Sequence, residues 1–171
     1  MNRSGLLERL KSGREFDLLV IGGGATGCGV AVDAATRGLD VALVDRADFA
    51  QGTSSRSTKL VHGGVRYLEK AVLQCDREQF GLVREGLRER GFLLANAPHL
   101  AHAVRLLTPV PTWKDAGYMF AGLTLYDLLA GRLGLGHSKF VGKRAAERMF
   151  PTLRMGDYKA AVTYWDGQFN D

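Results

Sequence analysis

The sequence predicts an α/β fold organised around one βαβ unit, and three observations predict it. A short apolar run, Phe16–Ile21, has the length of a buried strand. Glycines follow at the spacing G-x-G-x-x-G and open a small-residue segment, Ala25–Arg37, which stops at Gly38 as helices commonly do. A second apolar run, Asp40–Val44, completes a strand, helix and strand whose two strands pair in parallel.

The three spaced glycines predict a dinucleotide site. Gly22 permits the tight turn out of the strand, Gly24 lets a pyrophosphate approach the backbone, and Gly27 lets the helix pack closely on the sheet. The first-turn N–H groups then face the phosphates, with the helix dipole behind them. Asp45 lies 23 positions after Gly22, where a carboxylate can accept both ribose hydroxyls and disfavours NADP. This loop alone does not distinguish NAD from FAD.

The rest of the chain predicts a loop, a helix and a strand. Residues 49–59 are polar and rich in Ser and Thr, so we expect a loop there. Apolar residues at helical spacing predict an amphipathic helix over Gln74–Ala95, with Pro98 after its end. Val104–Thr108 is a candidate strand, which Pro109 should close.

An apolar segment, Ala116–Ala130, is too short to span a bilayer and is either a core helix or a membrane-facing interfacial helix. The neighbouring stretch from Arg132 to Lys159 has seven basic and two acidic residues, and 7 − 2 equals the net charge of +5 of the whole chain. This stretch is either an ordinary solvated face or a patch that attracts phosphates or anionic lipid.

Composition and residue spacing exclude several classes of protein. Hydrophobic residues make up 46% and charged residues 24%, the balance of a soluble globular protein. Cys28 and Cys75 form no C-x-x-C pair, which argues against a disulfide framework or zinc site. His99, His102 and His137 lack metal-ligand spacing, so we expect no metal. We also expect neither a signal peptide nor a transmembrane helix.

A second segment, residues 48–68, favours FAD over NAD. Hydroxyls and a lysine suit phosphate and ribityl oxygens. His62 stands beside two glycines that allow the close backbone approach that a flavin face requires. The hydroxyl residues are Thr53, Ser54, Ser55, Ser57 and Thr58, with Arg56 and Lys59 beside them and Gly63 and Gly64 after His62.

Residues 53–68, TSSRSTKLVHGGVRYL, together with the glycine loop, resemble the FAD-dependent glycerol-3-phosphate dehydrogenases of the quinone-linked, aerobic type. The resemblance is strong from Phe16 to Leu68 and looser at residues 97–100 and 164–171. It implies a Rossmann-like FAD-binding domain of the glutathione-reductase and amino-acid-oxidase type, incomplete and with a helical insertion. Many flavoproteins of this fold have Glu where this chain has Asp45, and the shorter acid can perform the same task.

The resemblance also implies roles for individual residues. Gly22, Gly24, Gly27 and Asp45 would hold the adenosine diphosphate part of FAD. Arg66 and Tyr67 match positions that reach the substrate phosphate, although Arg66 could instead form a surface ion pair and Tyr67 could pack in the core. The residues implied to line the flavin are Thr53, Ser54, Ser55, Lys59, His62, Gly63 and Gly64.

The implied reaction oxidises sn-glycerol 3-phosphate to dihydroxyacetone phosphate and passes the electrons to a quinone. We expect a cytoplasmic protein peripheral to the inner face of the plasma membrane, with no nucleic-acid partner and with a homo-oligomer as a candidate assembly. No general base is evident in the chain, and the resemblance places it beyond Asp171. We therefore expect an N-terminal fragment that is not active alone.

Four segments and two alternative functions complete these expectations. The segments are an N-terminal arm (1–15), the FAD-binding core (16–110), a helical segment that is a candidate membrane-facing element (111–145) and the start of a truncated substrate-domain region (146–171). One alternative is another FAD-dependent oxidase of the same fold that acts on an amine or amino acid. The other is a nucleotide-binding module without catalytic activity.

Overall fold

The computed structural model describes residues 2–170, and the chain forms two compact units, one ending at Thr58 and the other beginning at Lys59. We call them the amino-terminal and carboxyl-terminal units. The helices are α1 (Arg3–Lys11), α2 (Ala25–Thr36), α3 (Val65–Gln74), α4 (Arg77–Asn96), α5 (Trp113–Ala130) and α6 (Lys143–Met149), with 3-10 turns at Thr53–Arg56 and Gly131–Leu133. The strands are β1 (Leu18–Ile21), β2 (Val41–Val44), β3 (Leu60–Val61), β4 (Ala101–Val110), β5 (Lys139–Gly142) and β6 (Ala160–Phe169).

The amino-terminal unit contains the predicted strand, helix and strand. β1 and β2 pair in parallel, from Leu18 opposite Val41 to Ile21 opposite Val44. Helix α2 ends at the predicted glycine, because Gly38 adopts a φ of +85°, the left-handed conformation that stops helices. The predicted α/β class is therefore confirmed in the part of the chain that carried the prediction.

Two features of this unit were not predicted. The expected N-terminal arm contains helix α1, whose cap, Asn2, accepts a hydrogen bond from the Ser4 N–H at 3.1 Å. Strand β1 exposes apolar side chains, with Leu19 at 56% and Ile21 at 81% of full exposure. Because parallel sheets are ordinarily covered on both faces, this unit presents an uncovered apolar sheet surface among the described residues.

Strand β6 is central to the antiparallel sheet of the carboxyl-terminal unit. Along one edge it pairs with β4, from Ala101 opposite Phe169 to Val110 opposite Ala160. Its other edge pairs with β3 and with β5. The predicted strand Val104–Thr108 is thus extended at both ends, and β6 itself was not predicted.

The expectation that Pro109 closes its strand is wrong. Pro109 lies inside β4, opposite Ala161. Among the described strands β4 pairs with β6 alone, so it is an edge strand. Proline lacks an N–H donor, and an edge strand tolerates it because half of that strand's backbone donors make no ladder hydrogen bond.

The single helix expected over Gln74–Ala95 is in fact the end of α3 followed by α4. Cys75 adopts a left-handed φ of 53° and ends α3. The Asp76 carboxylate then caps α4, accepting hydrogen bonds from the N–H groups of Glu78 at 2.9 Å and Gln79 at 3.1 Å. Asp76 followed three residues later by Gln79 is a capping-box spacing, so the sequence did carry the signal for this break.

Helices α3, α4 and α5 pack together around one apolar cluster. Its buried members are Leu68, Val83, Leu87, Tyr126 and Ala130. Helix α5 is thus a core helix on one face, while its opposite side exposes 72% of Leu128. Within residues 2–170, no helix has both the length and the hydropathy needed to cross a membrane.

Candidate functional site: a dinucleotide-binding loop and a histidine-glycine turn

The glycine loop connects β1 to α2 through a backbone that requires glycine. Gly22 adopts a φ of +111°, and its N–H donates to the Val44 carbonyl at 2.8 Å. A Cβ atom on Gly27 would lie 1.8 Å from the Gly22 carbonyl oxygen. Gly24 is the N-cap of α2 and gives it no side-chain hydrogen bond. The structure therefore shows the close packing that was expected at Gly27.

Asp45 holds this loop through hydrogen bonds to the backbone. One carboxylate oxygen accepts the Gly23 N–H at 2.8 Å, and the other accepts the Ala47 N–H at 2.9 Å. These two donors, Ala47 first and then Gly23, lower the pKa of Asp45 from its ordinary value. The ionised carboxylate has about four lone-pair sites, so two remain for the ribose hydroxyls of a nucleotide.

The hydroxyl-rich segment contributes Ser54 to the same loop. Its Oγ accepts the Ala25 N–H, in the first turn of α2, at 3.0 Å. A Cβ atom on Gly24 would lie 3.3 Å from that Oγ. The sequence predicted that Ser54 lies against the cofactor. It did not predict that the Ser54 hydroxyl accepts a hydrogen bond from a backbone N–H in the first turn of α2. Thr53 and Ser55 lie in the same 3-10 turn and are exposed.

The structure therefore brings together the glycines, Asp45 and Ser54 within the amino-terminal unit. Ser54 occupies the Ala25 N–H, but the first turn of α2 still opens from three successive glycines with the positive end of the helix dipole behind it, which suits a pyrophosphate. The residues present fit the adenosine diphosphate half of FAD.

The turn from His62 to Gly64 lies in the carboxyl-terminal unit, between β3 and α3. Gly64 has a φ of +82°, and its N–H donates to His62 Nδ1 at 3.3 Å. Gly63 is buried, and its N–H donates to the Tyr126 hydroxyl at 2.6 Å. Lys59 precedes the turn, and its carbonyl accepts the Phe169 N–H at 3.0 Å.

Arg66 and Tyr67 follow in the first turn of α3, and both are exposed. Tyr67 lies over the turn, since a Cβ atom on Gly64 would come within 2.9 Å of its ring. Arg66 borders a mainly apolar cavity of about 410 Å³ between α3 and α5. Both side chains are exposed, which argues against the alternative that Tyr67 packs in the core.

Three residues behind this turn were missed by sequence reasoning: Tyr126, Arg90 and Asp166. They are buried to 1–2% exposure, and Arg90 Nη1 lies 2.8 Å from Asp166 Oδ1. The sequence did hold a signal, because Arg90 falls on the apolar stripe of α4 with Val83 and Leu87. An arginine in that stripe requires a buried partner.

The strand, helix and strand with their glycine loop define a class, the dinucleotide-binding proteins, and the comparison of the chain with known families identifies the cofactor. The family described as FAD dependent oxidoreductase matches residues 17–171, and the chain belongs to that family. The predicted cofactor, FAD, is thereby confirmed as the family's own.

Within that class the chain is similar to glycerol-3-phosphate dehydrogenases, as predicted. It is 51% identical over 170 residues to the mitochondrial enzyme of Mus musculus, covering 99% of this chain. It is 54% identical over 160 residues to the mitochondrial enzyme of Arabidopsis thaliana, covering 91% of this chain. The chain spans 23% and 25% of the lengths of these two relatives.

A solved structure supports the same similarity. The glycerol-3-phosphate dehydrogenase from Bacillus halodurans, complexed with FAD, superposes with a TM-score of 0.62 at 30% identity. The superposition covers 98% of this chain and 24% of that one.

Substituting Gly27 with Ala should weaken FAD binding, because the added methyl group would meet the Gly22 carbonyl oxygen at 1.8 Å. Even a loss of about 1.4 kcal/mol corresponds to roughly tenfold weaker binding. FAD content and the dissociation constant of the purified full-length protein measure the effect. Gly29→Ala is the matched control on α2, because a Cβ there meets nothing within 4 Å. Equal FAD affinity in the two variants would contradict the prediction.

Asp45→Asn should remove a stabilising contribution that is present at neutral pH. The pKa of Asp45 is lowered from 3.8 in the folded protein. Such a carboxyl group stabilises the fold at pH values above its unfolded-state pKa, and this contribution is lost as the pH falls through its folded-state pKa. We measure the free energy of unfolding in urea at pH 7 and stepwise from pH 5 to pH 2. The difference between the variant and the wild type should shrink as the pH falls. The control is Asp157→Asn, an exposed position in the other unit. A difference in the free energy of unfolding between variant and wild type that stays constant across all pH values would refute the prediction.

Proposed function

We propose that the protein oxidises sn-glycerol 3-phosphate to dihydroxyacetone phosphate and that its electrons pass to a quinone. The observation that carries the proposal is 51% identity over 170 residues to a named glycerol-3-phosphate dehydrogenase. The oxidase alternative has weaker support, since a glycine oxidase from Bacillus cereus matches at 20% identity, a level that indicates the fold alone.

In this proposal the amino-terminal unit binds the adenosine diphosphate part of FAD. The first turn of α2 receives the pyrophosphate, while Gly22, Gly24 and Gly27 keep the approach free of side chains. The two unused lone-pair sites of Asp45 accept the ribose hydroxyls. Thr53, Ser54 and Ser55 of this unit supply hydroxyl groups to the remainder of the cofactor.

The carboxyl-terminal unit contributes the flavin-lining turn and the phosphate anchor. Bound FAD supplies the hydride acceptor for oxidation of a secondary alcohol. Lys59 and the turn from His62 to Gly64 line the flavin. The Arg66 guanidinium binds the substrate phosphate and so orients its carbinol carbon, and Tyr67 lies beside it.

Arg66→Ala in the full-length protein should raise the KM for glycerol 3-phosphate. A hydrogen bond to a charged group contributes about 1.5–3 kcal/mol, which corresponds to roughly 10- to 100-fold. The assay follows reduction of a soluble ubiquinone analogue with glycerol 3-phosphate as the donor. Lys70→Ala removes an exposed cation from the same helix and is the matched control.

Two outcomes would refute the proposed reaction. One is equal turnover of glycerol and glycerol 3-phosphate, because a phosphate anchor would then have no role. The other is turnover of an amine or amino acid without activity on glycerol 3-phosphate, which would favour the oxidase alternative.

We also propose that the protein binds membranes peripherally, through the carboxyl-terminal unit. The rings of Trp113 and Phe140 stack at 5.8 Å and are 64% and 46% exposed. Helix α6, with Arg144 and Arg148, belongs to the same unit. Exposed aromatic rings and exposed cations on the same unit suit an anionic bilayer surface. The plasma-membrane location stays a prediction, and the relatives from Mus musculus and Arabidopsis thaliana are named as mitochondrial.

Charge removal from α6 should weaken binding to anionic vesicles. Each cation near such a surface contributes about 1 kcal/mol, so the double variant Arg144→Gln, Arg148→Gln should bind roughly 30-fold less tightly. Co-sedimentation of the full-length protein with phosphatidylserine vesicles at low salt measures it. The control, Arg84→Gln with Arg88→Gln on α4, removes equal charge elsewhere. Equal losses in both double variants, or no binding by the wild type, would argue against this surface.

A further inference from the structure

The backbone of Gly63 is held from inside the carboxyl-terminal unit. Its N–H donates to the Tyr126 hydroxyl at 2.6 Å, a contact between residues 63 positions apart. A Cβ atom on Gly63 would lie 2.6 Å from the Leu87 side chain and 2.9 Å from that hydroxyl. The glycine is therefore needed on its buried side, against the core, in addition to any ligand that approaches from outside.

Tyr126 is itself fixed in place. Its side chain is buried with Leu87 in the cluster between α3, α4 and α5, and the Arg90 guanidinium stacks 5.5 Å from its ring centroid. Burial, followed by the nearby charge of Asp166, raises the pKa of the Tyr126 phenol. The phenol stays neutral and accepts the Gly63 N–H with its oxygen.

Arg90 and Asp166 extend this contact back to the strand that precedes the turn. Arg90 Nη1 donates to Asp166 Oδ1 at 2.8 Å, and the same Oδ1 accepts the Gly167 N–H at 3.2 Å. Gly167 pairs with Val61 of β3. The network thus begins at Gly63 and returns at Val61, the two residues on either side of His62.

Stability alone does not account for the buried ion pair between Arg90 and Asp166. Burial raises the pKa of Asp166 above its ordinary value, and the Arg90 guanidinium opposes that rise. Arg90 Nε is buried and has no hydrogen-bond partner among residues 2–170. Apolar residues of similar volume often match or exceed a buried ion pair in stability. What the pair supplies is a fixed direction for the groups around it.

We propose that Tyr126, Arg90 and Asp166 are positioning residues that fix the backbone of His62–Gly64 for the flavin, an inference that rests on the flavin-lining role proposed for that turn. Two N–H groups are satisfied within the protein, Gly63 by Tyr126 and Gly64 by His62 Nδ1. The turn therefore presents the exposed His62 side chain, with its Nε2, rather than these two backbone donors.

Tyr126→Phe tests this role, because it keeps the ring and removes the acceptor. In the full-length protein with FAD bound, we expect a shifted visible flavin spectrum and midpoint potential. Turnover of glycerol 3-phosphate should show kcat lowered roughly three- to tenfold, the effect of one hydrogen bond, and an unchanged KM. Without FAD, the Gly63 amide should exchange its hydrogen at least about threefold faster. Tyr158→Phe, at an exposed tyrosine of the same unit, is the matched control and should match the wild type.

A wild-type spectrum, potential and amide exchange in Tyr126→Phe would overturn the proposal. If that variant does not fold, Asp166→Glu decides, because it keeps the charge pair and displaces it by one methylene. A shift in the flavin spectrum and potential then supports the network, and wild-type values overturn it. Failure of the wild type to oxidise glycerol 3-phosphate would refute the proposed reaction alone, since the spectrum, potential and exchange require no substrate.

Discussion

The hydrogen-bond ladder along β6 is the constraint on which the carboxyl-terminal unit depends. One edge of this strand carries all of β4, and the other carries β3 and β5. Because β3 leads directly into the turn at His62, the position of that turn is set by its pairing with the far end of β6. The same strand also contributes Asp166. The ladder with β3 and the buried ion pair with Arg90 therefore both originate from β6.

A different constraint governs the amino-terminal unit, where backbone meets backbone. The approach of α2 to the end of β1 leaves no room for a side chain at Gly27. Asp45 then connects the end of β2 to the same loop through the Gly23 N–H. The carboxylate thereby orders the loop, and its remaining lone-pair sites are the ones that the proposed function assigns to a ribose.

Sequence reasoning succeeded where the determinants are local. The strand, helix and strand from β1 to β2 follow from apolar runs and glycine spacing within about thirty residues of sequence, and the capping spacing at Asp76 could have divided α3 from α4. It failed where partners are distant. Nothing near Pro109 shows that β4 will be an edge strand, and nothing near Gly63 points to Tyr126. The contact of Arg90 with Asp166 joins residues 76 positions apart.

The glycines of this chain have a genetic consequence. Every glycine codon begins with GG, and every missense change within it adds at least a methyl group. At Gly136 such a group would lie 2.4 Å from the Trp165 ring, whereas at Gly81, Gly117 and Gly122 it would meet nothing within 4 Å. Inherited variants at glycine are therefore disruptive where either a close neighbour, as at Gly136, or a left-handed φ, as at Gly22, excludes a side chain, and they are accommodated where neither does.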